Sequence, residues 1–171
     1  HTQVGNIRFD QQRLSEAEDA FRLAIELDRS HPDAYLNLAE LLRVLNREAD
    51  SQAMLDLGLS AVPDNAELSH ARGLARVRAG KLTDALEDLR RAWTLSPANN
   101  RYAYTQALAL EALGRVAEAY DSLATGTQLD HGDPQLLRVQ LSLALKLGRT
   151  AQARQHAKAL AQLQPGDPEI K

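Results

Sequence analysis

Apolar residues along this chain recur at the spacing of one helix face, in segments of about 14 residues separated by short polar turns. The clearest runs are Leu38, Leu41, Leu42 and Leu45, and then Leu82, Leu86 and Leu89. Val and Ile are sparse while Ala and Leu are abundant, a balance that favours helices over strands. The pattern therefore predicts an all-α chain.

Turn-forming residues between these segments share a period of 34 residues. The period is carried by Gly80, Gly114 and Gly148, and by Pro63 and Pro97. The glycines follow the first segment of each pair, where a left-handed residue commonly ends a helix, and Asn46 is expected to adopt the same conformation. The prolines, with Pro165, are expected to stop the second segments, because proline cannot continue a helix.

This period predicts five helix pairs, about ten helices, in a single domain over residues 1–171. The repeats are 1–31 (incomplete), 32–65, 66–99, 100–133 and 134–167, followed by a short tail, 168–171. Within the first repeat, Ser15 followed by Glu18 predicts a capping box that opens the second helix.

Small and large residues alternate at fixed places in the 34-residue frame. Small residues in the first helices are Gly5, Ala39, Gly73 and Ala107; alanines early in the second helices are Ala17, Ala85, Ala119 and Ala153; large residues four positions later are Phe21, Leu55, Leu89 and Leu123. These columns, and the stretch from Glu16 to Phe21, resemble the tetratricopeptide repeat (TPR) family over almost the whole chain, and specifically bacterial-type arrays.

The resemblance implies a right-handed superhelical solenoid of antiparallel helix pairs. In that family the first helices line a concave groove and the second helices form the convex back. The implied function is a non-catalytic scaffold that binds a protein or peptide partner in the groove.

Groove positions follow from the first helix of each repeat once the family frame is applied. The candidate ligand residues are Asn6, Asn37, Glu40, His70, Arg78, Arg101, Tyr104, Arg138 and Lys146. Their charge changes from acidic or neutral in the amino-terminal half to basic in the last repeat. An acidic part of a bound segment would then lie near Arg101, Arg138 and Lys146, and charge would set its orientation more than its affinity.

The carboxylate clamp of co-chaperone family members uses two Asn and three cationic side chains. Asn6 and Asn37 occupy the two Asn positions, but Thr2, Glu67 and Ala71 stand where the cations should be. A carboxylate at Glu67 would repel a terminal carboxylate, so binding of Hsp70- or Hsp90-type tails is not expected.

Two arginines replace apolar residues in the first helix of the third repeat. Arg72 and Arg76 are four residues apart and share one helix face, and the Arg72 column continues as Gln106 and Gln140. One interpretation places their stems on the packing surface with guanidinium groups at the rim. The other is a buried polar column that needs a carboxylate partner, drawn from Glu67, Glu40 or Glu111.

Composition excludes several other functions. A net charge of −3 and an aromatic content of 4 % argue against a nucleic-acid-binding surface. The absence of cysteine excludes disulfides and thiolate chemistry, and no apolar run is long enough to enter a membrane. No catalytic, cofactor or metal motif occurs, and the five histidines form no metal-binding pair, so neither enzyme activity nor a cofactor or metal is predicted.

A competing hypothesis is an architectural or oligomerisation module cut from a larger cell-envelope protein, since the repeats are similar to bacterial TPR segments, including some attached to multihaem cytochromes. A partial first repeat and the lack of a capping helix after Pro165 favour it, because an uncapped end exposes apolar surface and would support a homodimer. The compartment stays open between cytoplasm and periplasm; no signal peptide is present in this sequence.

Overall fold

The computed structural model of the chain describes residues 1–126 and 129–163, and all regular structure in this part is helical. Its ten helices are α1 (Thr2–Asp10), α2 (Leu14–Leu27), α3 (Pro32–Val44), α4 (Glu48–Ala61), α5 (Ala66–Arg78), α6 (Leu82–Leu95), α7 (Asn100–Ala112), α8 (Val116–Thr125), α9 (Pro134–Lys146) and α10 (Thr150–Leu163). The all-α prediction is confirmed.

The helices fall into two compact units. The amino-terminal unit, His1–Lys81, contains α1 to α5, and the carboxy-terminal unit begins at Leu82 and contains α6 to α10. Within each unit, helices that follow one another along the chain pack together. In the amino-terminal unit, α3 also contacts both α1 and α5, and in the other unit α7 contacts α9. Within each unit, the first helices of successive pairs therefore share a face.

Close helix crossings in the amino-terminal unit depend on small residues. A Cβ added to Gly5 would lie only 2.4 Å from the ring of Phe21, and one added to Gly58 would lie 3.0 Å from Tyr35 and Leu68. Phe21, Tyr35 and Leu68 are fully buried, so the large side chains fill the space that the glycines leave. This is the complementarity that the small and large columns of the sequence predict.

The core of the carboxy-terminal unit follows the same rule with alanine. Ala103, Ala107 and Ala119 are fully buried beside Leu110 and Leu123 in one apolar cluster. Burial of such side chains drives the packing, at roughly 25 cal/mol for each Å² of apolar surface removed from water. The contact between α7 and α8 is thus lined by alanine and filled by leucine.

The turns inside the helix pairs have the predicted left-handed residue. Asn46, Gly80, Gly114 and Gly148 have φ values of 58°, 73°, 74° and 68°. Gln12, one period before Asn46, has a φ of 59°, which sequence reasoning missed. The turn conformation is therefore a property of the repeat rather than of glycine.

The predicted capping box of the first repeat is wrong. Helix α2 begins at Leu14, its N-cap residue is Arg13, and no side chain caps it. Glu18 is buried and binds the guanidinium of Arg47 with oxygens 2.8 and 3.1 Å from Nη1. The carboxylate that was assigned to a local cap instead ties α2 to the start of α4.

Proline marks the ends of second helices as predicted. Helix α4 ends at Ala61, before Pro63, and α6 ends at Leu95, before Pro97. Pro165 and the tail 168–171 lie outside the described residues. Helix α8 has 10 residues against the 14 of α4, α6 and α10, and ends at Thr125, so Gly126 is its C-cap residue rather than a member of the helix.

Candidate functional site

A cavity of about 460 Å³ opens on the face that α1, α3 and α5 share. Its lining comes almost entirely from the first two turns of these helices and is mostly polar. The lining residues are Thr2, Gln3, Asn6, His31, Asp33, Leu36, Asn37 and Glu67. We refer to it as the α1–α3–α5 cavity.

Two asparagine side chains meet on one wall of the cavity. Nδ2 of Asn37 donates to Oδ1 of Asn6 at 2.9 Å, which joins α1 to α3. An amide group has two N–H donors and an oxygen that can accept two bonds. The pair therefore retains donors on Asn6 and an acceptor on Asn37 for a ligand. The sequence placed both residues in the ligand site, and the structure brings them into contact.

Two carboxylates line the same cavity and are exposed. Asp33 and Glu67 stand in the first turns of α3 and α5, where a negative charge also offsets the helix dipole. Among the described residues, neither carboxylate has an ion-pair partner. A full charge on each exceeds the opposing half charge of a helix terminus, so the cavity is a region of negative potential.

Other charges predicted for the ligand site are neutralised within the protein. Glu40 accepts two hydrogen bonds from Arg43, at 2.7 and 2.5 Å, and these bonds lower the pKa of that carboxyl. Arg78 lies 3.4 Å from Glu48 at the start of α4. Neither Glu40 nor Arg78 lines the α1–α3–α5 cavity.

His70 does not line an open surface. Its side chain is only 3 % exposed, within the buried segment of α5 that also includes Leu68, Ser69 and Gly73. The expectation that it could touch a ligand is therefore wrong, because its position on α5 turns it inward.

Two interpretations were open for Arg72: a guanidinium at the rim of the helix packing, or a member of a buried polar column. The structure favours the rim. The side chain is 21 % exposed and its Nη1 lies 3.0 Å from Oδ1 of Asp56, which is half exposed. The stem lies on the packing surface and the guanidinium reaches the rim. Asp56, which was not among the three carboxylates considered, is a partner. Two positions of the same column, Gln106 and Gln140, are buried.

In the carboxy-terminal unit the predicted ligand residues lie on α7 and α9. Arg101 is exposed in the first turn of α7, and Tyr104 packs its ring against the core. Arg138 is half-buried on α9. Lys146, at the end of α9, forms an ion pair with Glu111 of α7. That ion pair joins α9 to α7.

A second polar cluster was not foreseen from the sequence. Tyr120 of α8 lies with its hydroxyl 3.1 Å from Nε2 of His156 on α10, and Arg149 stacks 4.7 Å above the tyrosine ring while binding Asp121 at 2.6 Å. Burial lowers the pKa of His156. The sequence spacing could not reveal this cluster, because its residues come from α8, from α10 and from the turn that precedes α10.

Residues 1–126 and 129–163 contain neither a membrane-spanning helix nor a cluster of metal ligands. No helix there is long and apolar enough to cross a membrane. In the same residues, no three His, Asp or Glu side chains come together in a way that could hold a metal ion.

Comparison with known families gives two adjoining matches. Residues 8–74 and residues 70–134 each match a family model described as tetratricopeptide repeat. Together the matches run from α1 to the start of α9. A comparison with curated protein sequences finds no match.

Solved structures share the fold. YrrB, described as a TPR protein with an unusual peptide-binding site, is 21% identical with a TM-score of 0.75, over 99% of this chain and 87% of that one. PilF of Pseudomonas aeruginosa is 21% identical with a TM-score of 0.77, over 94% and 73% of the two chains. MamA is 16% identical with a TM-score of 0.78, over 93% of each chain. These are helical repeat solenoids of the same kind.

Proposed function

This chain belongs to the tetratricopeptide repeat family, and from that premise we propose that it is a non-catalytic scaffold that binds a peptide segment of a partner protein. Proteins of this fold interact through extended faces built from successive repeats. The α1–α3–α5 cavity is the observation that carries the proposal, since it places unsatisfied polar groups on such a face.

The Asn6–Asn37 pair suits the backbone of an extended peptide. A peptide offers one donor and one acceptor at each residue, and an Asn amide can bind both at once. Because the pair is held by a hydrogen bond between two helices, little side-chain freedom is lost when a ligand binds. YrrB offers support of a general kind, since its description attributes a peptide-binding site to the same fold.

The shared face of α7 and α9 offers a second docking stretch in the carboxy-terminal unit. Leu108 and Leu145 are exposed there, close in sequence to the Glu111–Lys146 ion pair. We assign this stretch to apolar side chains of the partner, with Arg101 available to an acidic one. Contiguous exposed apolar surface is typical of interaction sites.

Selection from a random dodecapeptide display library, followed by fluorescence anisotropy with the selected peptides, tests the proposal. Asn37→Ala is expected to weaken binding about five- to tenfold, since it removes one or two hydrogen bonds. The matched control is Ser60→Ala, on the exposed side of α4, which should bind like the wild type. Selected peptides whose affinity is unchanged by Asn37→Ala would contradict use of this face.

Self-association is the second candidate, favoured by the exposed apolar side chains of α1. Val4 and Ile7 are 42 % and 57 % exposed and lie three residues apart on one helix face. Light scattering over a concentration series measures the oligomeric state directly. A mass that stays near 18.8 kDa would exclude this candidate, whereas a dimer that Ile7→Lys abolishes would support it.

A further inference from the structure

We infer that the α1–α3–α5 cavity selects a basic side chain, arginine or lysine, from the bound segment. This inference rests on the proposed function and gives the ligand its chemistry at one position. The carboxylates of Asp33 and Glu67 line a cavity of about 460 Å³, which is large enough for one long side chain with part of its backbone.

Elsewhere in the amino-terminal unit, acids beside arginines are paired within the protein. Such pairs are Glu16 with Arg13, Glu18 with Arg47, Glu40 with Arg43, Glu48 with Arg78, and Asp56 with Arg72. Among the described residues, Asp33 and Glu67 have no such partner. In the same residues, exposed acids such as Asp19 and Glu26 also lack an ion-pair partner, but Asp33 and Glu67 are the two that line this cavity. Their charges are therefore available to a ligand.

The rest of the lining fits the remainder of a basic side chain. Leu36 provides apolar surface for a methylene stem, as long cationic side chains require. The Asn6–Asn37 amides stand beside the carboxylates and can hold the peptide backbone on either side of the basic residue. The charge of this lining is the opposite of what a terminal carboxylate would need, because a negatively charged ligand requires cationic side chains at this wall.

Nuclear magnetic resonance with defined probes on the full chain tests the inference. The probes are two capped pentapeptides of alanine, one with a central arginine and one with a central glutamate. The arginine probe is expected to shift the side-chain amide signals of Asn6 and Asn37, and the glutamate probe to leave them in place. Raising the salt concentration to about 1 M should weaken the arginine probe, because exposed charges are then screened over about 3 Å.

The double variant Asp33→Asn, Glu67→Gln should weaken the arginine probe about tenfold, since exposed ion pairs contribute up to about fivefold each. Glu40→Gln is the matched control, because this carboxylate lies on α3 but is paired with Arg43 and does not line the cavity. Its affinity should stay within about twofold of the wild type.

Equal shifts with both probes, or an arginine probe that is indifferent to the double variant, would overturn the inference. Neither result would contradict the proposed function itself. The proposed function fails if library-selected peptides bind without regard to Asn37. Selected peptides that need Asn37 but carry no basic residue would refute the basic specificity alone.

Discussion

A single backbone conformation, repeated every 34 residues, ends the first helix of each pair. At Gly80, Gly114 and Gly148 a Cβ would meet nothing within 4 Å, so the positive φ alone selects glycine. Gln12 adopts the same conformation with a side chain, at a cost of about 1–2 kcal/mol. The cost is tolerated because the following amide of Arg13 closes the turn onto the carbonyl of Arg8 at 2.8 Å.

Gln12→Gly is therefore expected to stabilise the protein by about 1 kcal/mol, raising the melting temperature by about 2–4 °C for a chain of this size. Thermal unfolding followed by circular dichroism measures the change. Gln11→Gly is the matched control, since Gln11 has a φ of −80° and gains nothing from glycine. That control should lower stability by about 0.5–1 kcal/mol, and a gain in both variants would contradict the argument.

Gly5→Ala should destabilise the amino-terminal unit by about 1–3 kcal/mol, because the new methyl group would lie 2.4 Å from the Phe21 ring. Phe21 is 1% exposed and lies in one apolar cluster with Leu38 and Leu42, so the ring can move aside only by displacing its neighbours. Urea unfolding of the single variants and of Gly5→Ala with Phe21→Leu gives the coupling energy between the two sites. Additive effects in the double variant would show that the two residues do not share this space.

Two predictions about single residues, one wrong and one incomplete, show what the sequence could not specify. A repeat frame assigns a position to a helix face only approximately, so His70 was expected on the open side, whereas the structure buries it. The frame likewise named three carboxylates for Arg72, yet Asp56, one helix earlier, is a partner. Both errors concern which neighbours a side chain meets, a property of helix packing rather than of periodicity.

Helix starts differ in how their backbone N–H groups are satisfied. Side chains cap α5, α7 and α9: Asn65 accepts from Leu68, Asn99 from Arg101, and Asp133 from Gln135 and Leu136. By contrast, the N-cap residues of α2, α3, α4 and α8 make no such bond. Sequence reasoning placed a cap at Ser15, where there is none, and missed these three.

Asp133→Ala should cost about 1 kcal/mol, because it removes the acceptor for two N–H groups at the start of α9. Asp133→Asn keeps an oxygen in the same place and should be close to neutral. The measurement is hydrogen exchange at the amides of Gln135 and Leu136 together with thermal unfolding. Equal stability of the two variants would mean that the cap contributes nothing here.

At the element scale, the partial burial of His156 on α10 beside Tyr120 of α8 predicts that the stability of the carboxy-terminal unit depends on pH. Burial lowers the pKa of this imidazole, so the folded state takes up a proton less readily than the unfolded state. Stability is then complete above the unfolded pKa, about 6.5, and falls as the pH drops below it. Unfolding free energies between pH 7.5 and 5.5 measure this loss.

His156→Phe should keep the ring contact with Tyr120 but flatten the pH dependence over that interval. The variant would then have one fewer group whose pKa differs between the folded and unfolded states. A slope that is unchanged in the variant would assign the pH dependence to other groups.

At the scale of the whole molecule, the 34-residue period and the small-residue columns were enough to predict an all-α repeat fold. The period specifies helix pairs and the columns specify their crossings, and both are local properties of the chain. Of the residues predicted to bind a ligand, Asn6 and Asn37 share one cavity, whereas Glu40 and Arg78 are paired elsewhere. Which charges remain available depends on how acids and arginines pair, within α3 for Glu40 and between α5 and α4 for Arg78, and the period does not encode that.

The most direct test of the central claim, that a peptide segment binds on the shared face of α1, α3 and α5, is a nuclear magnetic resonance footprint of a library-selected peptide on the full chain. We predict that the largest shifts fall on the side-chain amides of Asn6 and Asn37 and on the backbone amides of Asp33 and Glu67. A footprint confined to α2 and α4, with those signals unmoved, would contradict it.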